Sequence, residues 1–94
     1  MNLFSQVNIW KRLGPQAAIR YVCFCDPSSG RYAVQSADFF RLPVEESQFR
    51  ESERQLVELF IEESVLERCA WFESIDQAIR AHDVDFGNDN DRLT

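Results

Sequence analysis

The stretch RYVCFCDPSSGRYAVQ, residues 20–35, decides how the chain folds. Two runs of alternating apolar side chains flank Pro27-Ser28-Ser29-Gly30, a turn that a proline starts and a glycine able to adopt positive φ ends. The reading is a β-hairpin of residues 17–25 and 31–37. With those four residues as the loop, Asp26 faces Arg31, Cys25 faces Tyr32 and Cys23 faces Val34. Period-two alternation then groups Tyr21, Cys23, Cys25, Tyr32 and Val34 on one face, and Arg20, Val22, Phe24, Ala33 and Gln35 on the other.

Working outward, residues 3–13 place Leu3 or Phe4, Val7, Trp10 and Leu13 at helical spacing, and Gly14-Pro15 follows as a helix stop. This predicts a first helix with Trp10 as its anchor on the sheet. Residues 36–43 read as a connector, because Pro43 disfavours a helical Leu42. A second helix is expected to begin within residues 43–47 and run to about Glu63. Its apolar positions Phe49, Leu56, Val57, Phe60, Ile61 and then Val65 form a stripe wide enough to lie on a sheet. Residues 69–72 read as a short strand, and Ser74 with Gln77 forms a capping box that opens a third helix with Ile75, Ala78 and Ile79 inward. The expectation is one α+β domain over residues 1–86, in the order α-β-β-α-β-α, with a three-stranded, mainly antiparallel sheet covered by helices. Residues 87–94 read as a disordered acidic tail.

Composition fits a single modest core: 94 residues, 45% hydrophobic and 13% aromatic. The net charge of −6 is unevenly spread, +3 over residues 1–44 and −9 over residues 45–94. Nine of the ten cations are Arg, whose planar fork suits fixed pairs with carboxylates. The acidic total argues against direct nucleic-acid binding, which draws its affinity from cations meeting phosphates. No apolar run approaches the roughly 20 residues of a membrane span, and the N-terminus lacks the pattern of a leader. A cytoplasmic protein is therefore expected, its three cysteines reduced.

A metal reading would gather Cys23, Cys25, Cys69 and His82, a chemically acceptable zinc set. Cys-X-Cys within a strand, however, sends both sulfurs the same way about 7 Å apart, a poor chelate, so packing is the favoured role for the thiols. His82 is the only imidazole, and its place beside Asp83 near a helix end favours a dipole contact over general-base work. The acidic run from Asp83 to Asp91 lacks the EF-hand register, and the three glycines Gly14, Gly30 and Gly87 build no phosphate loop. No cofactor is expected.

What remains is surface. Phe39 and Phe40 are adjacent: an extended segment turns one of them outward, to solvent or a second subunit, whereas a return loop that seals the core edge buries both. Glu58, Glu62, Glu63 and Glu67, together with Glu73, offer an acidic face to a basic protein, or remain a solvated helix surface. The reading favoured by the sequence is a small, acidic, non-enzymatic protein-binding or regulatory module, its candidate partner surface being Phe39, Phe40, Glu58, Glu62, Glu63 and Glu67. One alternative is a DNA mimic that inhibits a nucleic-acid-handling protein, for which carboxylates must stand in a rigid row rather than be neutralised by Arg54, Arg68 and Arg80. Another is a zinc-binding or thiol-dependent protein using Cys23, Cys25, Cys69 and His82. A homodimer is expected through the hairpin's outer strand, with Val22, Phe24 and Ala33 as its apolar face.

Overall fold

The hairpin forms with the expected register. In the computed structural model, which describes residues 3–86, strands β2 (Ala17–Asp26) and β3 (Arg31–Arg41) pair antiparallel, with Asp26 opposite Arg31, Cys25 opposite Tyr32 and Cys23 opposite Val34. The turn is held locally. The Asp26 carboxylate accepts from the Ser28 amide at 2.9 Å and the Ser28 hydroxyl at 2.7 Å, and Gly30 donates to the Asp26 carbonyl from φ +71. Those Ser28 hydrogen bonds hold the Asp26 carboxyl below the usual carboxylate range.

Upstream, the structure departs from the expected helix. Residues 5–14 form strand β1 (Ser5–Gly14), which pairs antiparallel with β2, so the sheet order is β1-β2-β3. The sequence carries both periods here. Val7 and Ile9 alternate with Gln6 and Asn8 as a strand requires, and Gly14 at φ +148 with Pro15 ends a strand at a tight turn as readily as it ends a helix. Pairing with β2 satisfies backbone groups that a helix would satisfy internally, and tertiary context selects the strand. Trp10 is consequently a strand residue, 57% exposed, rather than a helix anchor.

The expected connector after Ala37 is also strand, since β3 continues through Arg41. A β-bulge between Val22 and Cys23 shifts the register: Val22 faces Ser36, and Gln35 is the extra residue on β3. The bulge reverses which side chains face which way beyond it. Phe40 falls opposite Ala18 and is 6% exposed, while Phe39 falls opposite Ile19 and is 48% exposed.

The helices follow as α1 (Glu46–Glu62), the short α2 (Val65–Arg68) and α3 (Ile75–Phe86). The class is α+β, with a three-stranded antiparallel sheet and three helices, but the order is β-β-β-α-α-α. Residues 69–72 do not supply the third strand. Only Phe72 bridges, exchanging two 2.8 Å backbone hydrogen bonds with Tyr32 on the outer edge of β3. The Ser74 hydroxyl accepts from the Gln77 amide as the capping box requires, although the Gln77 side chain reaches the Glu73 amide rather than that of Ser74. The tail expected at residues 87–94 lies outside the described residues.

The two faces of the sheet carry different layers. Arg20 pairs with Glu53 of α1, and Gln35 donates to the Leu56 carbonyl, so α1 covers the face of Arg20, Val22 and Phe24. The Tyr21 hydroxyl donates to Asp83 of α3 at 2.9 Å and its ring meets His82 edge-on, so α3 covers the face of Tyr21 and Cys23. Val22, Phe24, Leu56 and Val65 form the core, with Phe4, Cys69 and Trp71 packed against it. The apolar stripe expected to seat α1 is only partly used. Leu56 alone is buried on that helix, while Val57 and Ile61 are 55% and 75% exposed. Among the described residues, no helix is long and apolar enough to cross a membrane.

Candidate binding cleft

At the end of the sheet farthest from the Pro27–Gly30 turn, the strands do not close on α1. The hairpin turn at Pro15 and Gln16 brings Trp10, Ala18 and Phe40 onto one sheet face, since Trp10 pairs with Arg20 and Ala18 with Phe40. The chain then leaves β3 through Leu42, a cis peptide to Pro43, and Val44, tied back by the Leu42 amide to the Gln16 carbonyl at 2.8 Å. Phe49 on the first turns of α1 completes the wall. The result is a cleft of about 450 Å³ lined mainly by Trp10, Ala18, Phe40, Leu42, Val44 and Phe49, with Arg12 and Arg41 also lining it.

Arg20 fixes its floor. The guanidinium, 4% exposed, reaches Asp38 at 2.7 Å and Glu53 at 2.7 Å, and its carbon lies 5.9, 5.5 and 5.7 Å from the ring centres of Trp10, Phe40 and Phe49. Burial opposes the charge, but the hydrogen bonds Arg20 donates to Asp38 and its pairing with Glu53 outweigh it and raise the Arg20 pKa. A buried cation is tolerated here because two carboxylates and three π faces replace its water. The same contacts hold the Trp10, Phe40 and Phe49 rings around the guanidinium.

The charges around the cleft differ from those on the helices. Arg50, Arg54, Arg68 and Arg80 each lie within 4 Å of a carboxylate on the helical half. Among the described residues, Lys11, Arg12, Arg31 and Arg41 on the sheet form no such pair; Arg41 instead stacks 6.0 Å from the ring of Phe39.

The residues expected from sequence divide between two regions. Phe39 is exposed on the opposite face of the sheet from the cleft, whereas Phe40 is buried in the cleft floor. Glu58, Glu62, Glu63 and Glu67 are all exposed on α1, its end and α2; Arg54 holds Glu58 at 2.7 Å, Arg68 lies 3.8 Å from Glu63, and Glu62 and Glu67 form no ion pair among the described residues. Trp10, Arg12, Leu42, Val44 and Phe49 were not anticipated as a surface. The available signal was RLPVE, residues 41–45, in which apolar residues flank a proline in a segment too short to form an element.

Among the described residues the three thiols and the imidazole do not gather into one cluster, although Cys69 and His82 border the same pocket. Cys23 is fully buried, and burial pushes its pKa up to about 11; Cys69, at the end of α2, is half-buried and shifted upward by burial as well. Among the described residues, no group of three or more His, Cys, Asp or Glu side chains is placed to hold a metal ion. A second pocket of about 240 Å³ touches Gln35, Arg68, Cys69, His82 and Asp85, a set of mixed charge.

The fold and the cleft define a small α+β domain in which a β-meander carries helices on both faces and leaves one apolar mouth open. Compared with protein-family models, curated proteins and solved structures, the chain matches none.

Proposed function

We propose that the protein is a non-enzymatic, cytoplasmic protein-binding module, and that the apolar cleft is where its partner docks. The observation that carries this reading is the set of exposed or half-exposed apolar side chains at Trp10, Leu42, Val44 and Phe49, of which Trp10 and Phe49 stack on Arg20, bordered by cations without carboxylate partners among the described residues. Preformed, aromatic-lined concavities are the usual anchoring sites for a few apolar residues of a partner. The occupant that fits is a protein segment with an apolar face flanked by Glu or Asp, whose carboxylates meet Arg12 and Arg41.

NMR titration with a synthetic amphipathic peptide, a Leu and Phe stripe flanked by Glu, tests this. Resonances of Trp10, Ala18 and Phe49 are expected to shift, and the double change Arg12→Glu, Arg41→Glu is expected to weaken binding by about tenfold or more. Shifts that avoid the cleft, or equal binding of a peptide with Lys in place of Glu, would count against it.

A second reading uses the acidic face toward a basic protein, including one that handles nucleic acid. It is supported by the exposed Glu62 and Glu67, unpaired among the described residues, beside exposed Ile61 and Leu66, and weakened by the Arg54 and Arg68 contacts that partly neutralise Glu58 and Glu63. The zinc or thiol reading has the least support, since no three of its ligands converge.

A further inference from the structure

The two edges of the sheet are treated differently. The outer edge of β3 is blocked where Phe72 takes both backbone hydrogen bonds of Tyr32. β1 is the other edge, and among the described residues no segment pairs with its outer side from Ser5 to Gly14. An open edge of this length presents a row of backbone donors and acceptors ready for another strand. The apolar face expected to meet a second subunit is instead covered within the chain, since Val22, Phe24 and Ala33 are buried.

We infer that the second strand is β1 of another copy of this chain, paired antiparallel about a two-fold axis through Asn8 to make a continuous six-stranded sheet. The side-chain pattern selects this register. In a symmetric antiparallel pair with the axis normal to the sheet, opposed residues share a face, so their numbers must sum to an even value. A sum of 16 sets Val7 opposite the partner copy's Ile9 twice, Gln6 opposite Trp10 and Asn8 opposite itself. The half-buried Val7 and Ile9 then join across the new seam on the Tyr21 side of the sheet. A sum of 18 would face only Ile9 with Ile9 and bring Leu13, at the β1 irregularity, into the ladder. Lys11 and Arg12, which defend the edge against parallel or random addition, fall opposite Ser5 and Phe4 instead of opposing each other. The dimer leaves two clefts, one per copy, and so makes the module divalent for any partner with paired segments.

Asn8 is exposed, so Asn8→Lys and Asn8→Asp place like charges face to face at the axis without disturbing the core. The wild-type chain is expected to run at dimer mass in light-scattering chromatography and native mass spectrometry. Each variant alone is expected to dissociate at least tenfold more readily while keeping the wild-type circular dichroism, and an equimolar mixture is expected to recover a heterodimer. A wild-type chain that stays monomeric at every concentration would overturn the inference. So would a dimer that both variants leave intact, or a mixture that fails to recover. In the peptide titration, the Ala18 and Phe49 resonances, which lie off the β1 seam, report on the cleft independently of each result.

Discussion

The two ends of the sheet hold similar aromatic content and use it in opposite ways. Near the Pro27–Gly30 turn, Phe4, Phe24, Phe60 and Trp71 pack edge-on, tilted or stacked with centroids 5.1 to 6.4 Å apart and close over Val22, Leu56 and Val65. At the far end, Trp10, Phe40 and Phe49 surround a guanidinium, with Trp10 and Phe49 remaining substantially exposed. The closed end is roofed by α2 and the 69–72 segment in addition to α1. The open end has only the Leu42–Val44 connector and the first turns of α1, so its rings form walls without a lid. Burial of aromatic surface stabilises the first end, whereas at the second the rings are arranged around a buried cation and stay partly in water.

The largest expected effect breaks this comparison at the closed end. Phe24→Ala removes a ring that is 5% exposed and leaves a cavity in the core, expected to cost about 3–5 kcal/mol in urea unfolding. Phe49→Ala, at the open end, is expected to cost less than about 2 kcal/mol, because much of that ring already faces water. Equal losses would mean that the cleft is core rather than site.

Asp38→Ala sharpens the comparison from inside the cleft floor. It removes the carboxylate that accepts from Arg20 Nε and Nη2, leaving a buried cation with Glu53 alone, and is expected to cost about 1.5–3 kcal/mol. Loss of peptide binding along with that stability would show that Arg20 holds the cleft in shape. Unchanged binding would mean the rings hold themselves.

The smallest effect concerns the α3 layer on the other face of the sheet. Burial lowers the His82 pKa, against the opposing pull of Asp83 and Asp85. Because the folded value lies below the unfolded value near 6.5, His82 contributes stability that is present above about pH 6.5 and lost as pH falls through the folded value. Denaturation midpoints should therefore fall less on acidification in His82→Gln than in the wild type. Identical pH profiles would remove His82 from the acid response.

Some of this architecture was legible in residues that act locally. Ser74 and Gln77 marked the start of α3, and the bounds of α1 lay within a few residues of those expected, because capping and helical periodicity are settled between near neighbours. The cleft was far less legible. Its lining comes from both hairpins, the connector and a helix, and no short window of sequence contains it.

By itself, the sequence determined the Pro27–Gly30 turn, the pairing from Asp26–Arg31 to Cys23–Val34, and the packing role of Cys23, since turn chemistry and alternation constrain adjacent residues directly. Tertiary structure decided that residues 5–14 are a strand, because an available β2 partner outweighed an ambiguous periodicity. It also decided which of Phe39 and Phe40 points into the molecule. That choice turns on the single extra residue at Gln35, whose amide meets the Leu56 carbonyl on α1, a contact 21 positions away in the chain that no local pattern encodes.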